Sequence, residues 1–262
     1  MILNKKLIKV DKVLVMNKSN QIMLLLITLF SLISLNHTSA QSDWELKTSL
    51  YCWFAGIDGT VGVASVEEQI DATPSDLFNN LDFTMGGHFE ARNPNVSLIA
   101  DIFYMGLGRE SQVEKTILNT TITKTGSLDL DEWVAEAAFG YRLSKEFEVL
   151  IAARFYDINV NIQVDDTTTS NGENWFDGFI GARYMTDFAD DWYTSIRADI
   201  GLGGSTFAWF ANAELGYHFS QLFALSFNYR ILSVDYEVGS GINYFKYDTF
   251  NHGFGLAAIF SF

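Results

Sequence analysis

The chain has 262 residues with 17 basic and 32 acidic side chains, a net charge of −15. Such an acidic chain is excluded as a nucleic-acid partner, because nucleic-acid binding depends on neutralising phosphates with Lys and Arg. The single cysteine, Cys52, excludes an internal disulfide and has no metal-ligand neighbours at useful spacing. The 22 Phe, 20 Gly and only 2 Pro favour a chain of paired strands, since proline cannot donate to a sheet ladder.

The first forty residues have the pattern of a secretory signal peptide. Five lysines precede an apolar run from Ile22 to Leu35, and Thr38-Ser39-Ala40 supplies the small residues read by a signal peptidase. We therefore predict a signal peptide over residues 1–40 and a mature domain over residues 41–262. Met16 would begin a signal of more usual length. A retained anchor is the alternative, although the run is about fourteen residues and a spanning helix needs roughly twenty.

After Gln41 no apolar run is long enough to span a membrane as a helix, so a membrane form must be a closed barrel. The last thirteen residues give the clearest indication of this fold. Side chains alternate along a strand, and here one face is apolar and aromatic while the other is mostly small or polar. This pattern predicts a lipid-facing strand, with an edge strand of a soluble sandwich as the alternative. Four residues form the predicted assembly signal: Phe254, Leu256, Phe260 and Phe262.

A period of two recurs along the chain and predicts an all-β fold, a transmembrane antiparallel up-and-down barrel of about ten strands. Eight or twelve strands are the alternatives, and residues 61–70 could add a hairpin. An even number places both chain ends in the periplasm, with short turns there and long loops outside. The predicted strands span residues 44–54, 82–92, 96–104, 133–141, 147–155, 176–184, 192–202, 207–217, 223–231 and 250–262.

Aromatic residues of the outward faces concentrate near the strand ends, as expected of the girdles at the two membrane interfaces. Scattered core aromatics are the alternative. The predicted girdle residues are Trp44, Phe54, Tyr104, Trp133, Tyr141, Tyr184, Trp192, Phe207, Tyr217 and Phe262.

Charged residues fall on the opposite, inward faces and predict a polar lumen. Because a ten-stranded barrel is narrow, we expect these charges to pair across the interior and to leave little free bore. The predicted lumen network comprises Glu90, Arg92, Asp101, Glu132, Glu136, Arg154, Asp177, Arg183, Arg197, Asp199, Glu214 and Arg230.

Several short segments carry a family resemblance: Trp53–Gly59, Gly181–Tyr184, Asp199–Gly201, Gly216-Tyr217, Asn228–Arg230 and the closing Phe262. Together they resemble a poorly characterised family of bacterial outer-membrane β-barrel proteins, porin-like and ending in a C-terminal Phe signal. The resemblance implies a barrel in the bacterial outer membrane. The implied partners are the lipid bilayer, lipopolysaccharide and the barrel-assembly machinery. It implies no particular activity.

Three functions remain open at this stage. The sequence favours a narrow porin-like channel for small solutes or ions, capped by a short helix over Pro74–Leu81. The alternatives are a non-conducting structural or adhesive barrel and a membrane lipid hydrolase. His218 and Ser220 are the residues considered for hydrolysis, but they lie at a predicted periplasmic turn without an evident acid. We therefore expect no enzyme, no cofactor and no metal site.

Overall fold

The computed structural model describes residues 44–64, 66–73, 84–117, 120–164 and 167–262. The predicted signal peptide and the helix predicted over Pro74–Leu81 lie outside these ranges. Within them, no helix combines the length and apolar character needed to cross a bilayer. The strands are β1 Glu45–Val63, β2 Val66–Ala72, β3 Thr84–Arg92, β4 Val96–Ile117, β5 Thr120–Arg142, β6 Phe147–Val164, β7 Thr167–Asp187, β8 Trp192–Gly203, β9 Phe207–His218, β10 Phe223–Val238 and β11 Phe245–Ser261.

The strands close into an antiparallel barrel. From β3 onward each strand pairs with the next along the chain, and β11 returns to pair with β1 from Lys47↔Ser261 to Val63↔Phe245. β3 pairs with the first half of β1, from Glu45 to Cys52, and β2 pairs with its second half, from Ile57 to Val63. Ten strands thus form the wall, as predicted, and β2 is an eleventh strand in the region where an extra hairpin was an alternative.

The end of the barrel that holds Trp44 and Phe262 is called the lower end, and the opposite end the upper end. Short turns join the strands at the lower end, at residues 93–95, 143–146, 188–191 and 219–222. The prediction of long loops at the upper end is wrong, because those residues continue the strands. β4 and β5 stay paired as far as Ile117 and Thr120, and β6 and β7 as far as Val164 and Thr167.

The strands extend because side chains continue to alternate between the two faces. In the upper half, however, the apolar side chains are on the inward face and the polar ones on the outward face. In the lower half the apolar side chains point outward and the charged ones inward. In the upper half of β6, Ile158, Val160 and Ile162 are buried inside, and Asn159 and Asn161 between them face outward. The upper half is therefore built like a soluble β-protein, with a dry interior and a wet surface.

Apolar side chains fill the interior of the upper half. Trp175 stacks on Tyr236 with ring centroids 3.8 Å apart and on Tyr156 at 5.0 Å. The largest fully buried side chains of this apolar core are Trp53, Ile57, Val61, Met105, Leu130, Tyr156, Ile158, Leu232, Phe245 and Tyr247. These side chains come from β1, β4, β5, β6, β10 and β11 and belong to one buried cluster, so the core ties the upper walls together.

The β8–β9 hairpin is short, because β8 ends at Gly203 and β9 begins at Phe207, and Trp175 of β7 contacts its turn. The indole Nε1 donates to Ser205 Oγ at 2.9 Å, and the backbone N–H of Ser205 donates to Asp177 Oδ1 at 2.8 Å. The Thr206 N–H donates to the Asp235 carbonyl of β10 at 2.9 Å. The short hairpin is therefore held by both neighbouring strands.

The outer surface of the lower half is an apolar belt. Its exposed members include Leu50, Leu98, Phe139, Ile151, Phe176, Ile180, Ile196, Ile200, Leu202, Leu225, Phe227, Phe254 and Leu256. Aromatic residues edge the belt, including Trp44, Tyr141, Tyr184 and Trp192 below and Phe54, Phe176 and Phe207 above. Water would leave this surface unfavourably exposed, whereas lipid tails would cover it.

Aspartates face outward just above the belt, and two of them oppose each other directly, Asp235 on β10 and Asp248 on β11. Like charges at directly opposite positions destabilise a sheet. We expect Asp248→Asn to raise the free energy of unfolding by about 0.2–1 kcal/mol. Urea titration of the refolded protein at low and high salt measures this. Asp129→Asn is the control, since Asp129 opposes Gly108 and Asn161, and an equal gain there would contradict the pair effect.

Phe262 closes the chain at the lower rim, where its backbone N–H donates to the Leu46 carbonyl at 2.8 Å. One rim ring contributes at most a few kcal/mol of burial, so we expect a larger role in recognition during insertion. Deleting Phe262 should reduce membrane-inserted protein in cells while the refolded variant stays close to wild-type stability. Fractionation and urea titration measure the two effects, and undiminished insertion would argue against an assembly signal.

Candidate functional site

The lower half of the interior holds a cavity of about 860 Å³, here called the vestibule. Its lining reaches the lower-end turns at Pro94 and Lys145, where it meets solvent, and its inner end lies against Phe103, Val134, Phe210 and Leu232. Charged side chains from most strands project into it, because inward positions of the lower half are polar. The vestibule therefore opens at one end only, and the apolar core lies above it.

The first charge network lies on β3, β4, β6 and β7 and is centred on Arg183. Its guanidinium donates to both oxygens of Glu90, at 2.9 and 2.6 Å, and to Glu148. Arg92 donates to Glu90 Oε1 at 2.9 Å, and Ser97 Oγ donates to Glu148 at 3.0 Å. Both carboxylates are nearly fully buried, and both are compensated by cations or hydrogen-bond donors.

The second network joins β5, β6 and β8. Arg154 donates to Glu136 through Nε at 3.0 Å and to Asp199 at 3.1 Å. Arg197 contacts Glu136 at 2.8 Å and donates to Asp199 at 2.9 Å. The Arg154 guanidinium also lies 4.0 Å from the centroid of Phe179, so the network forms the boundary between the vestibule and the apolar core.

The third network involves β1, β3, β4 and β10. The Tyr51 hydroxyl donates to Asp101 Oδ1 at 2.6 Å, and His88 Nδ1 lies 3.0 Å from Asp101 Oδ2. Arg230 donates to the Tyr51 hydroxyl at 2.8 Å and stands 3.9 Å from Asp101. Asp101 is thus contacted from three other strands.

All twelve predicted lumen residues point inward, and the three networks bring nine of them together. Glu214 instead accepts from the Tyr193 hydroxyl at 2.8 Å, and Asp177 accepts from the backbone of the β8–β9 turn. Sequence reasoning missed four network members, Tyr51, His88, Ser97 and Glu148. Glu148 could have been found, because it follows the outward Phe147 and alternation places it inside.

Glu132 departs from the expected pairing across the lumen. It is fully buried beside the apolar core, where its Oε2 accepts from the Tyr247 hydroxyl at 2.9 Å and from Asn251 at 3.2 Å. No ion pair to Glu132 occurs among the described residues, since the arginines of the lower half lie below it. The described residues also contain no group of three His, Cys, Asp or Glu side chains able to hold a metal ion.

Comparison with known proteins finds no matching family model and no matching curated protein. Among solved structures, the attachment invasion locus protein Ail of Yersinia pestis is 8% identical with a TM-score of 0.42, over 84% of this chain and 98% of that one. The translocator domain of the autotransporter NalP of Neisseria meningitidis is 10% identical with a TM-score of 0.38, over 91% and 95%. Neisserial surface protein A is 9% identical with a TM-score of 0.32, over 84% and 98%.

These scores are too low to transfer any property, so the assignment depends on the geometry of the chain itself. A closed wall satisfies its own backbone groups, and its apolar belt with aromatic edges requires lipid around it. The protein is an integral β-barrel of the bacterial outer membrane. By the general rule for such barrels, we assign the short-turn end, which holds Trp44 and Phe262, to the periplasm and the extended strands to the extracellular side.

Proposed function

We propose that the protein is a non-conducting outer-membrane barrel that carries a rigid extracellular β-structure. The observation that carries this proposal is the apolar core of the extracellular half. Trp53, Leu130, Tyr156 and Tyr247, from four different strands, are at most 2% exposed there. Buried protein interiors are close-packed and contain few voids larger than a water molecule.

Ion passage requires a continuous wet path, because moving an unpaired charge into an apolar interior is very costly. The vestibule could supply such a path through the periplasmic half only. At its inner end an ion would meet Phe103 and Phe210 and then the apolar core. The porin-like channel predicted from the sequence would therefore need the core to rearrange.

The extracellular half offers a stable surface in place of mobile loops. The backbone of Ala64 in the β1–β2 turn donates to the Tyr244 carbonyl at 2.9 Å, and the Tyr244 hydroxyl donates to Glu67 at 2.6 Å. Partial burial and the Glu67 carboxylate hold the pKa of Tyr244 above its usual value. Ile242 at the tip of the adjoining β10–β11 turn is 80% exposed. Such a tip suits contact with another surface, which supports a structural or adhesive role.

Planar-bilayer recording of the refolded protein tests this proposal. We expect no conductance steps above the background of the lipid alone, while an open porin in the same lipid supplies the positive control. Insertion is verified separately by heat-modifiable gel mobility and protection from protease. Reproducible steps in wild-type protein would overturn the proposal and support the channel interpretation.

A further inference from the structure

Glu214 differs from the other interior carboxylates of the vestibule wall. Glu90, Asp101 and Glu136 each pair with an arginine at 3.9 Å or closer. Glu214 projects from β9 into the same space and is half-buried, but no Lys, Arg or His side chain of the described residues lies within ion-pair distance of it. A carboxylate held beside a protein interior without a counter-charge favours a cation brought by a ligand.

Tyr193 holds the Glu214 carboxylate in place. Its hydroxyl donates to Glu214 Oε1 at 2.8 Å, which leaves Oε2 for a further donor. Tyr193 lies directly opposite Gly216, where a Cβ atom would be 2.0 Å from the ring, so only glycine lets the ring lie across β9. The His218 ring packs against Tyr193 with centroids 5.0 Å apart. The carboxylate is therefore presented by a ring that is itself fixed.

Uncharged polar side chains surround Glu214 on three strands. Ser195 of β8 and Asn228 of β10 lie directly opposite it, and both line the vestibule. Asn212, two residues along β9, is on the same inward face roughly 6.5–7 Å away. Its Oδ1 is buried without a hydrogen-bond partner among the described residues. This part of the wall thus has a carboxylate oxygen and an amide oxygen that both lack a donor.

The arginines of the two neighbouring strands are engaged elsewhere. Arg197 of β8 contacts Glu136 at 2.8 Å, and Arg230 of β10 lies 3.9 Å from Asp101. Their charges are compensated within the networks described above. Glu214 therefore keeps its negative charge available to the solution that enters the vestibule.

We propose that Glu214 and its neighbours bind the ammonium group of a small primary amine that enters the vestibule from the periplasm. An ammonium group carries three N–H donors and no acceptor. One donates to Glu214 Oε2 in a charge-assisted hydrogen bond, and the others are directed to Asn212 Oδ1 and the Ser195 hydroxyl. The ligand thus supplies both the counter-charge and the donors that this wall lacks.

The rest of the vestibule limits the ligand to one ammonium group. The space of about 860 Å³ accommodates a small molecule. At its mouth the Arg142 guanidinium donates to the backbone carbonyls of Asn93 and Lys145. Among the described residues, no acidic side chain lies within ion-pair distance of Arg142 or Lys145. A second ammonium group would be repelled there.

Saturation-transfer NMR on protein refolded in deuterated detergent tests the proposal with 1-propylamine at neutral pH, where the amine is protonated. Ionic strength is kept constant, because salt screens charge interactions. We expect saturable binding of propylamine and none of 1-propanol, its neutral analogue. Glu214→Gln keeps the shape of the side chain and should weaken binding by about 10-fold or more. Asn212→Ala should weaken it by about 2–10-fold.

Glu146→Gln is the matched control, because Glu146 also lines the vestibule but lies at the β5–β6 turn, where it accepts from the Ser144 hydroxyl. It removes the same charge and should bind propylamine as wild type does. Gel mobility confirms that each variant is folded. Equal binding by Glu214→Gln and wild type, equal binding of 1-propanol, or no saturable signal in wild type would overturn the proposal. Tighter binding of 1,3-diaminopropane would overturn the restriction to one ammonium group.

Discussion

Replacing Arg183 with alanine should lower the free energy of unfolding by about 3–5 kcal/mol. Arg183 makes two hydrogen bonds to Glu90 and one to Glu148, and these carboxylates are nearly fully buried. Among the described residues, removing the cation leaves Glu148 with the Ser97 hydroxyl and Glu90 with Arg92 and His88. The loss thus reflects uncompensated buried charge more than the missing contacts themselves.

Urea titration of protein refolded into lipid vesicles measures the loss, with gel mobility reporting the folded fraction. The decisive control adds Glu90→Gln and Glu148→Gln to Arg183→Ala. Neutral amides need no counter-charge, so this triple variant should recover much of the stability lost by the single one. A single variant within 1 kcal/mol of wild type, or a triple variant less stable than the single one, would contradict this account.

Trp175→Ala should cost a similar amount, about 3–5 kcal/mol, because it removes a large buried ring and leaves a cavity. Trp175 stacks between Tyr156 and Tyr236 and donates to Ser205, so its loss also frees the β8–β9 turn. We expect earlier urea unfolding and faster proteolysis near Ser205.

Trp192→Ala is the matched control for Trp175→Ala, because Trp192 lies at the outer edge of the apolar belt and is 40% exposed. Its removal should cost clearly less, since lipid can fill the space. Equal costs for the two substitutions would show that the extracellular core is not tightly packed.

The alternation of side chains predicted the barrel well in its membrane half. There one face is apolar and the other charged, as along Ile196 to Leu202 of β8, and short turns mark the strand ends. The even number of strands and the closure by the last strand followed from the same pattern. The alternation and the turns are local features, so a single sequence reveals them.

The extracellular half was harder to predict because its polarity is reversed. Val234 and Tyr236 are inside, while Asp235 and Glu237 face solvent. A reader who expects apolar residues on the outward face would interpret such a segment as a polar loop. The seal above the vestibule and the isolation of Glu132 depend on which strands face each other across the barrel. That information lies in strand register and shear, which a pattern along one strand does not contain.

The pairing of β1 with β11 also has a kinetic consequence. Seventeen residue pairs from Lys47↔Ser261 to Val63↔Phe245 join segments roughly 200 residues apart, whereas every other wall pairing joins strands close in sequence. Contacts of such long range form only after the chain has lost the conformational entropy of closing a long loop, and chains dominated by them fold slowly. Hairpins should therefore form early, and the joining of the two ends should be the slow event that completes insertion.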